Sequence, residues 1–325
     1  MMRPHTTAFW AAITLAAASL AGCVSQTRAI GTFDRTLSVN GPTHLELRTG
    51  SGDVHVKAGA AGAVRIHGEI QARGWSAEDA QKRMEEITSN PPISQEGNLI
   101  RVGGTGPRLN EVSVDYTLVV PPDTELHGMT GSGDVEARGI HGPATVTSGS
   151  GDISASAIGS DVQVVTGSGD LTLGDIQGQL QVTTGSGDIQ VHGVKGEARL
   201  HTASGDISIT QPVSSVEASS GSGDMEVKGA TADLRLHSSS GQITVDGNPS
   251  PTNYWDLRTS SGDVVLHVPA DASFRLYARS SSGEIDAAIP VVMEGTAGKH
   301  ELRARIGDGK ARVDIDTSSG NIALH

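Results

Sequence analysis

Glycine turns that end in an acid recur at a fixed interval along this chain. Gly-Ser-Gly-Asp closes at Asp134, Asp152, Asp170, Asp188 and Asp224, and Ala-Ser-Gly-Asp at Asp206, so that 18 residues separate each acid from the next. A constant interval of this length marks one supersecondary unit stacked on copies of itself. Counted from each acid, aliphatic side chains return one and three residues later (Leu171 and Leu173, Ile189 and Val191, Ile207 and Ile209, Met225 and Val227). They return again ten and twelve residues later (Val162 and Val164, Leu180 and Val182, Ala198 and Leu200, Leu234 and Leu236). Each pair alternates as a strand does, and the two pairs are offset by nine residues, so a rung reads as two short strands joined by two tight turns. The second turn is glycine-rich as well, with Gly139 and Gly142 in one rung and Gly193 and Gly196 in another. Reversing the chain within about three residues usually requires a positive φ, which glycine adopts freely.

The expected fold is therefore all-β: a single-stranded β-solenoid or β-helix with rungs of about 18 residues, built as two facing sheets. The few aliphatic side chains of one rung do not offset the entropy lost on ordering it, so stability has to come from stacking. A left-handed helix of hexapeptides also turns in 18 residues, but it needs an inward aliphatic every six, and here the pairs fall at nine. Aromatic residues make up 3% of the chain, which suits a narrow core of Val, Ile, Leu and Ala.

The turn continues downstream with drift, through Gln242, Asp263, Glu284 and Asn321, and the extra residues (Asn248 to Trp255, and Val291 to Lys310) read as longer turns or a widened rung. Upstream, one isolated copy ends at Asp53 between strand-like segments, so the stack is expected to begin there and to be interrupted. The interruption carries one short helix over 76–89: Ser76 with Asp79 three residues on forms a capping-box-like start, and Asn90-Pro91-Pro92 stops it. Its thin apolar face suits a cap over an open sheet end, with a partner-binding helix as the alternative. After it, Val112 to Val120 alternates as a strand and ends in Pro121-Pro122.

The first 23 residues have a different character. Arg3 gives a short positive region, Thr6 to Leu20 an apolar run, and Leu20-Ala21-Gly22-Cys23 matches a lipoprotein signal box. The apolar run is too short to span a bilayer. Cys23 is the only cysteine, which excludes an intrachain disulfide and makes it the expected lipidation site. Under the usual enterobacterial sorting rule, Val24 after the cysteine points to the outer membrane, facing the periplasm or the surface. The organisation expected from sequence is a signal peptide over 1–23, a tether over 24–31, an N-terminal β region over 32–130 with the capping helix, and the repeat array over 131–325.

The lipobox, the Val-Asp-Tyr-Thr-Leu-Val-Val-Pro-Pro-Asp-Thr-Glu-Leu strand (Val114 to Leu126), the serial Gly-Ser-Gly-Asp turns and Leu-His-Val-Pro-Ala-Asp-Ala (Leu266 to Ala272) resemble the bacterial putative-adhesin family over Thr32 to His325. The resemblance implies a β-strand-repeat domain, an exported and membrane-anchored protein or one attached to envelope-stress and sensor proteins, and no catalytic residues to carry over.

In a stack, Asp134, Asp152, Asp170, Asp188, Asp206 and Asp224 would form a file about 4.8 Å apart, where neighbouring charges repel by about 0.9 kcal/mol even in water. One expectation is that each carboxylate accepts hydrogen bonds from its own turn's N–H groups or a nearby Ser hydroxyl. The other is a calcium ladder, by analogy with rolls made of two nine-residue halves. Those rolls carry the acid in both halves, whereas here it occupies one half and follows glycine directly. No other cofactor is implied. Twelve scattered histidines lack metal-ligand spacing, and His55, His192, His201 and His237 fall on alternate positions expected to face solvent. No nucleophile elbow or phosphate loop is present. A net charge of −13 with no basic cluster argues against nucleic acid and against electrostatic adhesion to anionic lipid.

Three function classes follow. The favoured one is a non-catalytic, lipid-anchored envelope scaffold or adhesin-like module that presents repetitive rows to a glycan or an envelope protein. An envelope-stress sensor or regulatory partner is the alternative. A polysaccharide-active β-helix enzyme is disfavoured because outward basic residues are sparse.

Overall fold

The computed structural model describes residues 27–325 apart from 105, 107–108 and 295–297; the expected signal peptide and Cys23 lie outside the described residues. Two facing sheets of 14 and 15 strands run the length of the molecule. Each rung of the array gives one strand to each sheet, as Leu171–Ile176 and Leu180–Ser186 do. Pairing is parallel and steps by 18 residues through the strict repeats, where Leu171 opposes Ile189 and Val162 opposes Leu180; the register first shifts between Lys228 and Ala230. The aliphatic pairs point inward, and Leu171, Leu173, Leu180 and Val182 are all buried.

Two further columns complete the interior. Six residues after the acid, Ile140, Ile158, Ile176, Val194 and Ala230 plug the second corner. Four residues before it stands a hydroxyl: Thr130, Ser148, Thr166, Thr184, Thr202, Ser220 and Ser238 are all buried. This is the last inward position before the turn, and a buried hydroxyl there needs a partner. In the early rungs it donates to the carbonyl two residues on, as Thr184 does to Ser186 O at 3.1 Å. From Ser220 onward it donates to a glycine carbonyl of the preceding rung (Ser220 to Gly205 O, 3.2 Å); Thr130 in the first rung and Thr202 between the two regimes follow neither pattern, and their Oγ1 atoms have no partner.

The rung of Asp53 lies directly under that of Asp134, with Val54 opposite Val135 and Thr43 opposite Thr124. The intervening residues build the N-terminal end. Val112–Val120 pairs in parallel with Val54–Ala58 and antiparallel with Ala63–Gly74, and Thr27–Ser38 closes that sheet antiparallel to Ala63–Gly74. The helix spans Ala77–Ser89, with Ser76 capping the Asp79 N–H. It buries Ala80 and Ile87 against the last two strands, and Met84 covers Gly31, where a Cβ would collide with its sulfur. The helix thus covers the inner face of the end strands. The expected tether over 24–31 is contradicted: residues 27–31 are already strand, because Thr27 to Gly31 pair with Gly74 to Ile70, partners about forty residues away that no local signal announces.

The C-terminal end also departs from expectation. Its rungs do not stack in chain order: Ile322–Leu324 inserts between Val264–His267 and Ile285–Ala287, and Ala311–Thr317 inserts between Tyr254–Ser261 and Phe274–Ser280. Nor is the segment after Val291 a widened turn. Glu301–Ile306 pairs antiparallel with Phe274–Ser280, and Val292–Met293 forms the short outer edge. A two-residue edge offers little template for strand addition.

Deleting Asp170 to Gly187 removes one whole unit and is expected to leave a shorter protein with a single cooperative unfolding transition. Deleting the nine residues Asp170 to Gly178 places turns under strands, and circular dichroism is expected to show loss of the fold. The last glycine of the turn has φ between 114° and 159° in Gly52, Gly133, Gly151, Gly169, Gly187, Gly205, Gly223 and Gly241. A Cβ on Gly187 would strike the Gly169 carbonyl. Gly187→Ala is expected to cost at least about 2 kcal/mol in chemical denaturation, while Ala157→Gly, which relieves a residue at φ 55°, is expected to gain about 0.5 to 1 kcal/mol.

Candidate functional site

The acids form a single file along one corner. Asp134 accepts the N–H of Asp152 on Oδ1 at 2.9 Å, and the pattern repeats from Asp152 to Asp170 (2.8 Å), Asp170 to Asp188 (2.9 Å), Asp188 to Asp206 (2.9 Å) and Asp206 to Asp224 (2.8 Å). The file extends both ways: the Asp53 N–H bonds to Asp115, the Asp134 N–H to Asp53, and the Gln242 N–H to Asp224. It lapses at Gln242, whose longer side chain turns to Thr244, and resumes where Asn321 bonds to Asp263 and Glu284 to Asn321. The partner is therefore the N–H of the next rung, and not the acid's own turn or a serine as expected. The positive φ of the preceding glycine turns each N–H along the stack axis, so the acceptor that meets it comes from the adjacent rung.

A charged acceptor strengthens such a bond, and one oxygen per carboxylate remains for solvent. That leaves a row of single oxygens, and among the described residues no group of three or more His, Cys, Asp and Glu side chains is placed to hold a metal ion. His55, His192, His201 and His237 all face solvent, as the alternation predicts. Glu125 accepts from His127 at 2.7 Å, and this bond, with His44 nearby, holds its carboxyl below the usual range.

A second feature was hidden in the sequence. The reordered C-terminal strands bring arginines from separate segments side by side on the outer face of the larger sheet, contradicting the absence of a basic cluster read from sequence. Arg275 opposes Arg312 on one side and Arg305 on the other. Arg312 grips Asp314 through two nitrogens, at 2.9 and 2.6 Å, and lies over Tyr254, 5.3 Å from the ring centroid. Arg303 lies over Tyr277 at 5.0 Å, and Arg305 reaches Glu294 at 3.3 Å. Arg275 has no acidic partner among the described residues, so this face keeps donor groups for an anionic or hydroxyl-rich ligand. No sequence-local signal could reveal it, because it depends on which strands become neighbours.

A cleft of about 470 Å³ lies at the N-terminal junction beside Arg48, Arg73 and Tyr116. Among the described residues lining it, Glu111 carries the one carboxyl.

The model of the Toastrack DUF4097 family matches residues 43–325. Among solved structures, a putative adhesin from Bacteroides fragilis is similar at 13% identity, covering 91% of this chain and 97% of that one with a TM-score of 0.31. A putative adhesin from Parabacteroides distasonis aligns at 10% identity over 90% and 97% of the two chains, with a TM-score of 0.34. A putative cell adhesion protein from Clostridium sporogenes aligns at 10% identity over 92% and 99%, with a TM-score of 0.23. None of the curated proteins matches the chain.

Replacing Asp188 by Ala removes one axial acceptor and is expected to cost about 1 to 2 kcal/mol in urea denaturation, less than a fully buried charged bond because the site is exposed. Asp188→Asn keeps the acceptor, as Asn321 does naturally, and is expected to cost less than half as much. Millimolar calcium is expected to leave both midpoints unchanged; a calcium-dependent rise in the wild type that Asp188→Asn abolishes would contradict the capping role.

Proposed function

We propose that this chain, which belongs to the Toastrack DUF4097 family, is a non-catalytic envelope protein, anchored by lipid at Cys23, that presents its β-solenoid as an adhesin-like binding surface. The observation that carries the reading is the in-register outer face. Gln163, Gln181, Arg199, Glu217 and Arg235 follow one another on successive strands, and the same face ends in the arginine and tyrosine surface around Arg275. Rows repeated at one strand spacing suit an extended partner that is itself repetitive, such as a glycan, more than a compact small molecule. The lipid anchor is supported by the signal box ending at Cys23. No described helix is long and apolar enough to cross a membrane.

Radiolabelled palmitate is expected to label the wild type and not Cys23→Ser, and label retained by the variant would contradict the anchor. Crosslinking of the full-length lipidated protein in intact envelopes is expected to recover glycan, with at least about a fivefold loss in the Arg275→Glu, Arg312→Glu double variant. Recovery of one stoichiometric membrane protein and no glycan would overturn the binding-module reading in favour of a regulatory partner.

A further inference from the structure

Two large apolar side chains are the most exposed in the described chain, Trp75 at 82% and Ile30 at 75%, and both lie at the same corner. Thr27, the first described residue, pairs with Gly74, the neighbour of Trp75, and Ile30 opposes Gln71 on the same two strands. Between them, Arg28 opposes Arg73, and neither arginine forms an ion pair with a described residue. Like charges facing each other across a strand pair are unfavourable unless an anion sits over both. The corner therefore combines an indole, an aliphatic side chain and two guanidinium groups without an ion pair, with Asp79 and Glu111 lining the crevice beside Arg73 and Trp75.

This is the composition of a surface that settles at the boundary between phospholipid headgroups and acyl chains. The indole favours the interface, the aliphatic group enters the acyl region and the arginines meet phosphates. Its position fits the same occupant. Cys23 is four residues before Thr27, so a lipid on it lies within about 14 Å of this corner along a fully extended chain. The far end also exposes two apolar side chains, Val292 at 53% and Met293 at 40%, beside its arginine and tyrosine face, but the length of both sheets separates it from Cys23.

We propose that the corner formed by Ile30, Trp75, Arg28 and Arg73 docks on the phospholipid leaflet that holds the Cys23 anchor, seating the N-terminal end of the solenoid on the membrane. The inference rests on lipidation of Cys23, and docking supplies the second contact that a lipid anchor needs to fix an orientation. The stack then stands with its far end away from the bilayer.

Trp75 can be read directly, because the other tryptophan past the signal peptide, Trp255, is fully buried. The experiment compares the full-length wild type with Trp75→Phe, both reconstituted in vesicles of phosphatidylethanolamine and phosphatidylglycerol with and without brominated acyl chains. Mass spectrometry of the reconstituted protein establishes the lipid. The expected result is a blue-shifted emission and about twofold quenching by brominated lipid in the wild type, absent in Trp75→Phe and reduced in the Arg28→Glu, Arg73→Glu double variant. Lipidated protein that floats with vesicles while Trp75 stays equally open to acrylamide would overturn docking and leave the anchor intact. Protein without lipid in the mass spectrum would overturn the anchor and docking together. Protection of Trp75 that grows with protein concentration in the absence of vesicles would overturn docking in favour of a second copy of the chain.

Discussion

Close stacking of one glycine turn upon the next is the constraint on which the structure depends. From Gly133 to Gly241 the last glycine of each turn takes a positive φ, and the preceding rung's glycine carbonyl occupies the space of a Cβ. Only glycine meets both conditions, which is why that position is invariant in type throughout the file while the residue two before it changes from Gly to Ala203 and later to Ser239 and Ser260. Once the turns are in contact, the N–H of each acid points at the carboxylate of the previous one, and strands on both sides are held in register. A one-residue slip would exchange the inward and outward sets on both sheets.

The same stacking explains how a chain with so few aromatics holds a continuous core. No rung buries enough on its own, but aliphatic columns from four strand positions and the second corner run through the whole pile, closed on the turn side by hydroxyls of which all but those of Thr130 and Thr202 find carbonyl partners. The ends lack one neighbour and are built differently. At one end a helix covers the inner face of the last strands; at the other a strand from the C-terminus slips between two earlier rungs and an antiparallel hairpin covers the outside.

Much of this was legible in the chain. The interval of the acids fixed the rung, the alternation after each acid identified the inward residues, and Ser76 with Asp79 located the helix start. What escaped reading depends on which distant segments become neighbours. The Asp carboxylate bonds to the next rung and not to its own turn, because the turn aims its N–H along the axis. Ile30 and Trp75 come together only because Thr27–Ser38 pairs with Ala63–Gly74, and Arg275, Arg305 and Arg312 only because the last strands stack out of order. The buried hydroxyl column had a signal that could have found it, since Ser or Thr stands four residues before every acid of the array.

The most direct test is a set of electron paramagnetic resonance distances between spin labels on the outer face, in a Cys23→Ser background that frees the chain of other thiols. Labels at 163 paired with labels at 235 or 256 sit four and five strands apart in the register Gln163, Gln181, Arg199, Glu217, Arg235, Asp256. In-register stacking predicts backbone separations of about 19 and 24 Å, increasing by one strand spacing per rung. Separations that do not grow with rung number, or that exceed these by tens of ångströms, would contradict a single continuous pile.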